Sequence, residues 1–464
     1  MNKKKAWLCC LLFVVSSILL GSTGQAEYKK TLLLEKNSYW GEPEQVLKGN
    51  YYKIPDIAID SEGTVHVFAS GISNLIYYNT KTRGSSWDGS LHDDNILDFN
   101  LDNVKPGFLS TYIDSDDTIY LVWDVYGDGP KNIFYAYKPK NGIWSEAEVV
   151  SVNYLLNLPT HPKITVDNCG TIHVVWCDEL ESAKTNELQN VICYNSKKIN
   201  GDWGDSIVIS QNGDGDSWAP DIACDSQCNV HVVWYYSYNQ YTGICYNHKQ
   251  ADTPDWSDIE AITINSKVNS PSIAIDSKDM IHVVWVYNYN LHQIQYAKRV
   301  NCNWEYQGFI SNDLENMFYK PDLTIDSNDR FHIIWIKVIN NPFHRPIIYK
   351  FFDGTSWSDE EEIVYSINGG MSPPSIVIDE RKPHIVFINN SQGSDELFYI
   401  SKNIAGDVNG DGDVDQSDLG ILLASYNRSP DDPFYDPRAD INGDGGVNQQ
   451  DLGILLAHYG ESLP

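Results

Sequence analysis

From residue 51 to residue 400 one arrangement of apolar and polar positions returns seven times. An alternating stretch of the form Pro-x-Ile-x-Ile ends on aspartate, a turn rich in Ser, Asn and Gly follows, and an apolar run of the form His-Val-Val-Trp comes next. After a loop of variable length the chain reads Ile-x-Tyr, then a Trp followed by small and acidic residues. The aspartates fall at Asp60, Asp114, Asp167, Asp225, Asp276, Asp326 and Asp379, 50 to 58 residues apart. The second element starts at His66, Tyr120, His173, His231, His282, His332 and His384, and the third carries Tyr78, Tyr135, Tyr194, Tyr246, Tyr296, Tyr349 and Tyr399. A fourth holds Trp87, Trp144, Trp203, Trp256, Trp304 and Trp357. Period-two alternation, β-branched and aromatic residues and turn punctuation predict four short strands per unit and no helix.

Units of this kind bury their faces only against copies of themselves, which predicts a mainly β fold, a seven-bladed β-propeller. The seventh unit stops at Tyr399 without its Trp strand. The missing piece stands at the other end of the chain, where Asn37-Ser38-Tyr39-Trp40-Gly41-Glu42 matches Asn141-Gly142-Ile143-Trp144-Ser145-Glu146. The N-terminal strand is therefore expected to complete blade seven and leave no sheet edge open.

Ahead of the repeat, three lysines, an apolar run from Ala6 to Leu20 and small residues ending at Ala26 have the three zones of a cleavable secretory signal. The expected division is a signal at 1–26, a propeller at 27–403 and a small module at 404–464, with the mature chain secreted and extracellular. No later stretch is apolar enough to insert in a membrane. Against a net charge of −30, a nucleic-acid partner is excluded, because phosphate binding runs on Lys and Arg. Seven cysteines follow the signal; without CxxC spacing they read mainly as small buried side chains, with disulfide pairing left open.

Residues that recur in every unit are explained by packing, so functional candidates are what remains when the repeat is subtracted. Of fourteen tryptophans only Trp218 is then unexplained. The loops between strands two and three and between blades open on one face, and hold His161, Trp218, Tyr319, Lys320, His344 and Arg345, with Lys53, His92 and His292. Nearby Tyr and Asn runs offer flat faces and amides suited to sugar rings or to a protein interface.

The layout resembles the sialidase-like propellers, whose blades carry an Asp-box turn, Ser-x-Asp-x-Gly-x-x-Trp. Phe352-Asp353-Gly354-Thr355-Ser356-Trp357 keeps its Asp, Gly and Trp, whereas Asp255-Trp256 and Asn303-Trp304 keep little beyond the Trp. A sialidase needs three arginines on its substrate's carboxylate, and here Arg345 alone is expected on the ligand face, so that activity is not expected. Polysaccharide lyases also resemble this propeller and use His or Tyr with a cation; His161, Tyr319, Lys320, His344 and Arg345 supply those types. Recognition of polysaccharide by the propeller is the leading expectation, with a polysaccharide-cleaving lyase or glycoside hydrolase and a protein-binding structural subunit as the alternatives.

The tail departs from the β pattern. Between Asp407 and the C-terminus twelve acidic side chains stand against two arginines. Two twelve-residue loops account for most of them. The first runs through Asp407, Asn409, Asp411, Asp413, Asp415 and Asp418, the second through Asp440, Asn442, Asp444, Gly446, Asn448 and Asp451. Oxygen side chains at positions 1, 3, 5, 9 and 12, Gly at 6 and a backbone carbonyl at 7 are calcium-loop chemistry, so two Ca2+ ions are expected. Loop 1 offers four side-chain carboxylates and loop 2 three, which predicts tighter binding by loop 1. Each loop enters a helix with apolar residues at i, i+3, i+4 and i+7, and no helical pattern precedes either. With loop starts 33 residues apart, the segment resembles a dockerin, a small all-α calcium-binding module. The resemblance implies a cohesin partner on a scaffold or cell-surface protein of a cellulosome-like complex. Positions 10 and 11, Gln416-Ser417 and Gln449-Gln450, depart from the Ser-Thr pair common in that family.

Overall fold

The computed structural model describes residues 40–463 except 48–54, 72–74, 88–95, 98–103, 153–157, 182–186, 211–214, 288–292, 312–315, 365–372, 390–394 and positions 84, 86, 128, 130, 240, 252, 341, 342, 381 and 443. The signal-like segment and Lys53, His92 and His292 lie outside the described residues.

Seven antiparallel sheets form the blades, six of them each from one continuous stretch of chain. Blade 3 is typical: Thr160–Val166, Thr171–Glu181, Leu188–Lys198 and Ile207–Val208. First strands of adjacent blades pack on one another, which puts them around the central axis. Blade 7 takes Ser375–Asp379, Lys382–Asn389 and Glu396–Ser401 from the end of the repeat and its outer strand, Glu44–Leu47, from the start, with Glu44 opposite Tyr399. Trp40 bridges Lys402 beside it. The N-terminal closure expected from sequence is thus the observed one.

The recurring residues account for cohesion between blades. Each Trp stands edge-on to the Tyr of the preceding blade, from Trp256 on Tyr194 at 4.9 Å to Trp144 on Tyr78 at 5.9 Å. Trp40 on Tyr349, at 5.1 Å, and Trp87 on Tyr399, at 5.2 Å, carry the series across the closure. Edge-to-face pairs contribute about 0.5–1.5 kcal/mol each beyond the area they bury. In one respect the expectation is corrected: of these tryptophans only Trp304 lies inside a fourth strand, while Trp40, Trp256 and Trp357 form isolated bridges. The outer edge is held by a short ladder and, beside it, by the indole.

The second-strand histidines are scaffold. His173 is buried, with Nδ1 2.8 Å from the Tyr194 hydroxyl and Nε2 3.0 Å from Asp167. An ionised carboxylate only accepts, so Nε2 carries the proton and Nδ1 accepts from the tyrosine. Burial lowers the histidine's proton affinity and keeps it neutral. The same triad recurs at His66, His231, His282 and His332. In blade 2 Tyr120 donates to Asp114 directly. In blade 7 Arg83 takes Asp379, and Nε2 of His384 has no hydrogen bond.

The strand-one turns clasp their neighbours as well. Ser61, Ser226 and Ser277 donate to Asp117, Asp279 and Asp329 of the following blade. Between blades 3 and 4 the corresponding link is the disulfide Cys169–Cys228. Cys177, Cys193 and Cys245 are buried free thiols, the role read for most cysteines.

The C-terminal module contains α1, Gln416–Ser425, and α2, Gln449–Ala457, joined through a 3-10 turn at Pro437–Ala439. Among the described residues no helix is long and apolar enough to cross a membrane.

Candidate functional sites

The first strands open on the axis through a repeated irregularity. His161, Ala219, Ser270 and Lys320 each precede a proline and each has a left-handed backbone, with φ of 55°, 50°, 49° and 45°. Few non-glycine residues adopt it, and a following proline narrows the choices further. The strand register shifts at each of these points. Four strained residues at one rim are the pattern expected where backbone geometry serves a site.

This rim is the mouth of an axial pocket of about 130 Å³ lined by His161, Lys320 and Phe108, among others. Phe108 of blade 2 reaches the axis: His161 of blade 3 stacks on its ring at 3.7 Å, and Lys320 Nζ of blade 6 lies 5.6 Å from its centre. The buried Asp124 carboxylate anchors the arrangement by accepting from the N–H groups of Phe108 and His161 and from the Thr160 hydroxyl. A side chain at Gly107 would collide with Asp124, so only glycine fits the bend that presents Phe108.

Beneath the mouth, the residue one step further along each first strand makes a polar ring of Asp56, Ser110, Lys163, Asp221, Ser272, Asp322 and Ser375. All but Ser272 also line a cavity of about 390 Å³ that continues along the axis. Asp56, Asp221 and Asp322 each accept an N–H from a neighbouring first strand, of Thr111, Ile273 and Ile376. Burial raises Asp322 to about 6 and raises Asp56 as well. Burial pulls Lys163 down, but Asp221, Asp322 and Asp56 outweigh it and hold its ammonium up.

Of the six ligand candidates, the fold brings His161 and Lys320 together at this mouth. Trp218 is half-buried and packs in the apolar cluster between blades 3 and 4. Tyr319, next to Lys320, is exposed, with its hydroxyl 3.4 Å from Met317 Sδ. His344 is buried in a short hairpin of blade 6, and the Arg345 guanidinium lies over Phe343 at 5.4 Å. Of the other arginines before the tail, Arg83, Arg299 and Arg330 pair with Asp379, Glu260 and Asp326. The Asp-box-like turn of blade 6 is formed, Asp353 accepting from the Thr355 and Ser356 amides around Gly354 at φ 94°.

In the tail, Asp407 accepts from Gly410 and Gly412, and Asp440 from Asp444 and Gly445. Position-six glycines Gly412 and Gly445 have φ of 85° and 91°. The position-12 carboxylates Asp418 and Asp451 are fully buried and accept from Asn409 and Asn442 across their loops. Burial raises Asp407 to about 6, with Asp418 adding to it and Lys382 of blade 7 opposing. Hard oxygens crowded in this way, with position 9 spent on capping α1 and α2, fit calcium. A near-twofold relation joins the halves. Val414 pairs with Gly460 and Glu461 after α2, and Val447 with Asn427 and Arg428 after α1. Leu423 and Leu456 are equally exposed on the two helices, at 54%.

Residues 405–458 match the dockerin type I domain, and the C-terminal module is a domain of that kind; such domains bind calcium and dock to cohesins. No curated protein matches the chain. Among solved structures the propeller is similar to an ulvan lyase of polysaccharide lyase family PL25, at 12% identity and TM-score 0.53 over 79% of this chain and 95% of that one. It is also similar to the BP39L lectin of Burkholderia pseudomallei, at 11% and 0.53 over 71% and 90%. A Hadza microbial sialidase, Hz136, matches at 11% and 0.45 over 73% of each chain. Identities this low report a shared fold.

Proposed function

We propose that this chain is a secreted propeller that recognises polysaccharide at its axial mouth and is delivered by its dockerin to a cohesin in a cellulosome-like extracellular complex. The observation that carries the reading is the meeting of Phe108, His161 and Lys320, from three blades, over a polar axial cavity. An aromatic face beside hydrogen-bonding groups suits a sugar's C–H face and its hydroxyls. That similar folds include a lyase solved with a glycan and a lectin supports a glycan ligand. In the dockerin two calcium ions are assigned, one to each loop, held by Asp407, Asn409, Asp411, Asp418 and the Asp413 carbonyl, and by Asp440, Asn442, Asp444, Asp451 and the Gly446 carbonyl, with Asp415 and Asn448 at position 9. The domain limits follow as 27–403 and 404–464.

A panel of plant and algal polysaccharides tests the glycan reading, with binding and release of new chain ends recorded together. Binding that is lost in Phe108→Ala and His161→Ala and kept in Trp218→Ala supports the mouth; binding unaffected by both mouth variants rejects it. A second reading, glycoside hydrolysis, is favoured by one observation: Asp322, raised to about 6 by burial, lines the pocket and can hold a proton near neutral pH. Release of reducing ends that stops in Asp322→Asn would establish it.

A further inference from the structure

We propose that the polar ring beneath the mouth is a saccharide-hydroxyl site that takes an uncharged sugar unit, with Lys163 as hydrogen-bond donor and Asp322 as acceptor. The proposal rests on the mouth being where glycan enters, and adds the ligand's chemistry and the residues that read it.

Lys163 is the one cation in the ring. Its only ion-pair partner among the described residues is Asp221 at 3.8 Å, beyond hydrogen-bond length, and its side chain stays 41% open to the axial space. An ammonium has three donors, so Lys163 has capacity for an incoming acceptor. Asp322 is complementary. One carboxylate oxygen takes the Ile376 N–H at 3.0 Å, which leaves the other for a donor from the cavity. Asp56, by contrast, is filled by Thr111 and by the Ser375 hydroxyl. The ring therefore presents an open donor and an open acceptor in the same pocket. Neighbouring sugar hydroxyls meet that pair, one accepting from Lys163 and one donating to Asp322.

Charge sets the class of sugar. Three carboxylates face one ammonium in the ring, and the mouth adds one further lysine, Lys320, so a uronate or sulfated unit would meet net negative charge at short range in a protein-walled space. A neutral hexose or pentose has no such cost.

Titration calorimetry on the full-length, calcium-loaded protein tests the idea, with cellohexaose, xylohexaose and mannohexaose as neutral probes and hexagalacturonate as the charged one. A neutral probe is expected to bind, hexagalacturonate to bind at least about tenfold more weakly, and Lys163→Met and Asp322→Asn each to weaken the neutral probe by about tenfold or more. Asp322→Asn keeps the side chain's shape and decides the matter if Lys163→Met fails to fold by tryptophan emission. Neutral binding that falls in Phe108→Ala but not in the ring variants overturns the ring proposal and leaves the mouth reading standing. Preference for hexagalacturonate also overturns it. Binding indifferent to ring and mouth variants alike rejects both.

Discussion

The two folded regions solve the same problem, holding near-identical units together, with different physics. The propeller joins blade to blade with side chains it supplies itself, an indole edge on a tyrosine and a cation paired with a neighbouring blade's carboxylate, while each buried histidine ties together the strands of its own blade. Several of those cations also lie over the paired rings, as Lys197 does between Tyr135, Trp203 and Glu148, and Arg299 over Tyr246 and Trp304. The dockerin joins its halves through two short backbone pairs and crowds carboxylates with little covering charge. The first arrangement is complete from its own side chains, while the second waits for an ion.

Chelation gives the largest test of that contrast. All fourteen tryptophans lie at or before Trp357, so tryptophan emission follows the propeller alone. Removing calcium should abolish cohesin binding and reduce helical circular dichroism while tryptophan emission and its melting temperature hold. A shift in emission on chelation would break the comparison. Next comes ring closure: Trp40→Ala removes an edge contact and the indole's donation to Glu361, and should cost about 3 kcal/mol in denaturant unfolding, at least as much as Trp203→Ala within the continuous chain. A cost below about 1 kcal/mol would mean the N-terminal strand is dispensable. Third, Cys169→Ser with Cys228→Ser opens a link spanning 59 residues and should lower stability by about 2 kcal/mol, with the dockerin's calcium affinity unchanged.

Smaller effects separate the modules by pH and charge. Hydrogen bonds from Lys140 and then Ser61 hold Asp117 at about 2, below its ordinary 3.8. A depressed carboxylate gives stability that is present above 3.8 and lost as the pH falls through about 2, so the acid limb of a stability–pH curve should flatten in Asp117→Asn. Smallest is a change in calcium affinity. Loop 1 abuts the propeller, where a side chain at Gly410 would come within 3.9 Å of Lys382 Nζ. Lys382→Met should tighten loop 1 a few-fold, and comparison of Asp411→Ala with Asp444→Ala should show whether four carboxylates still outrank three beside that lysine.

The blades were legible because their chemistry is periodic: seven aspartates, six histidines and seven third-strand tyrosines in register leave one fold that pairs them, and Trp40 supplies the missing seventh indole. The mouth was legible only in part, for a reason rooted in the same periodicity. Subtracting the repeat discards any position that every blade occupies, yet the axis is built from such positions. Lys163 stands where other blades have Asp or Ser, and the oddity shows only when the residues after each proline are lined up. Phe108 lies in a bend whose need for Gly107 depends on Asp124, a contact no pattern reveals. Trp218 misleads in the opposite direction, since uniqueness in sequence did not keep it out of the core between blades 3 and 4. The calcium loops needed no tertiary knowledge, because each supplies its ligands from twelve consecutive residues.

Closure by the first strand also sets an order of events in time. Trp40 meets Glu361, 321 residues later in the chain, so the beginning of the protein has to wait for nearly all the rest before its outer strand can seat. A ring of this kind closes late, after synthesis has passed the last blade, and until then blades 1 and 6 keep unpartnered flanks. The dockerin, whose contacts are local, can finish within a few dozen residues of its own start. Every blade strand nevertheless precedes the dockerin in the chain, so the ring has all it needs to close before the adaptor is finished, and an assembly that captures chains by their dockerins enrols propellers already able to seat their last strand.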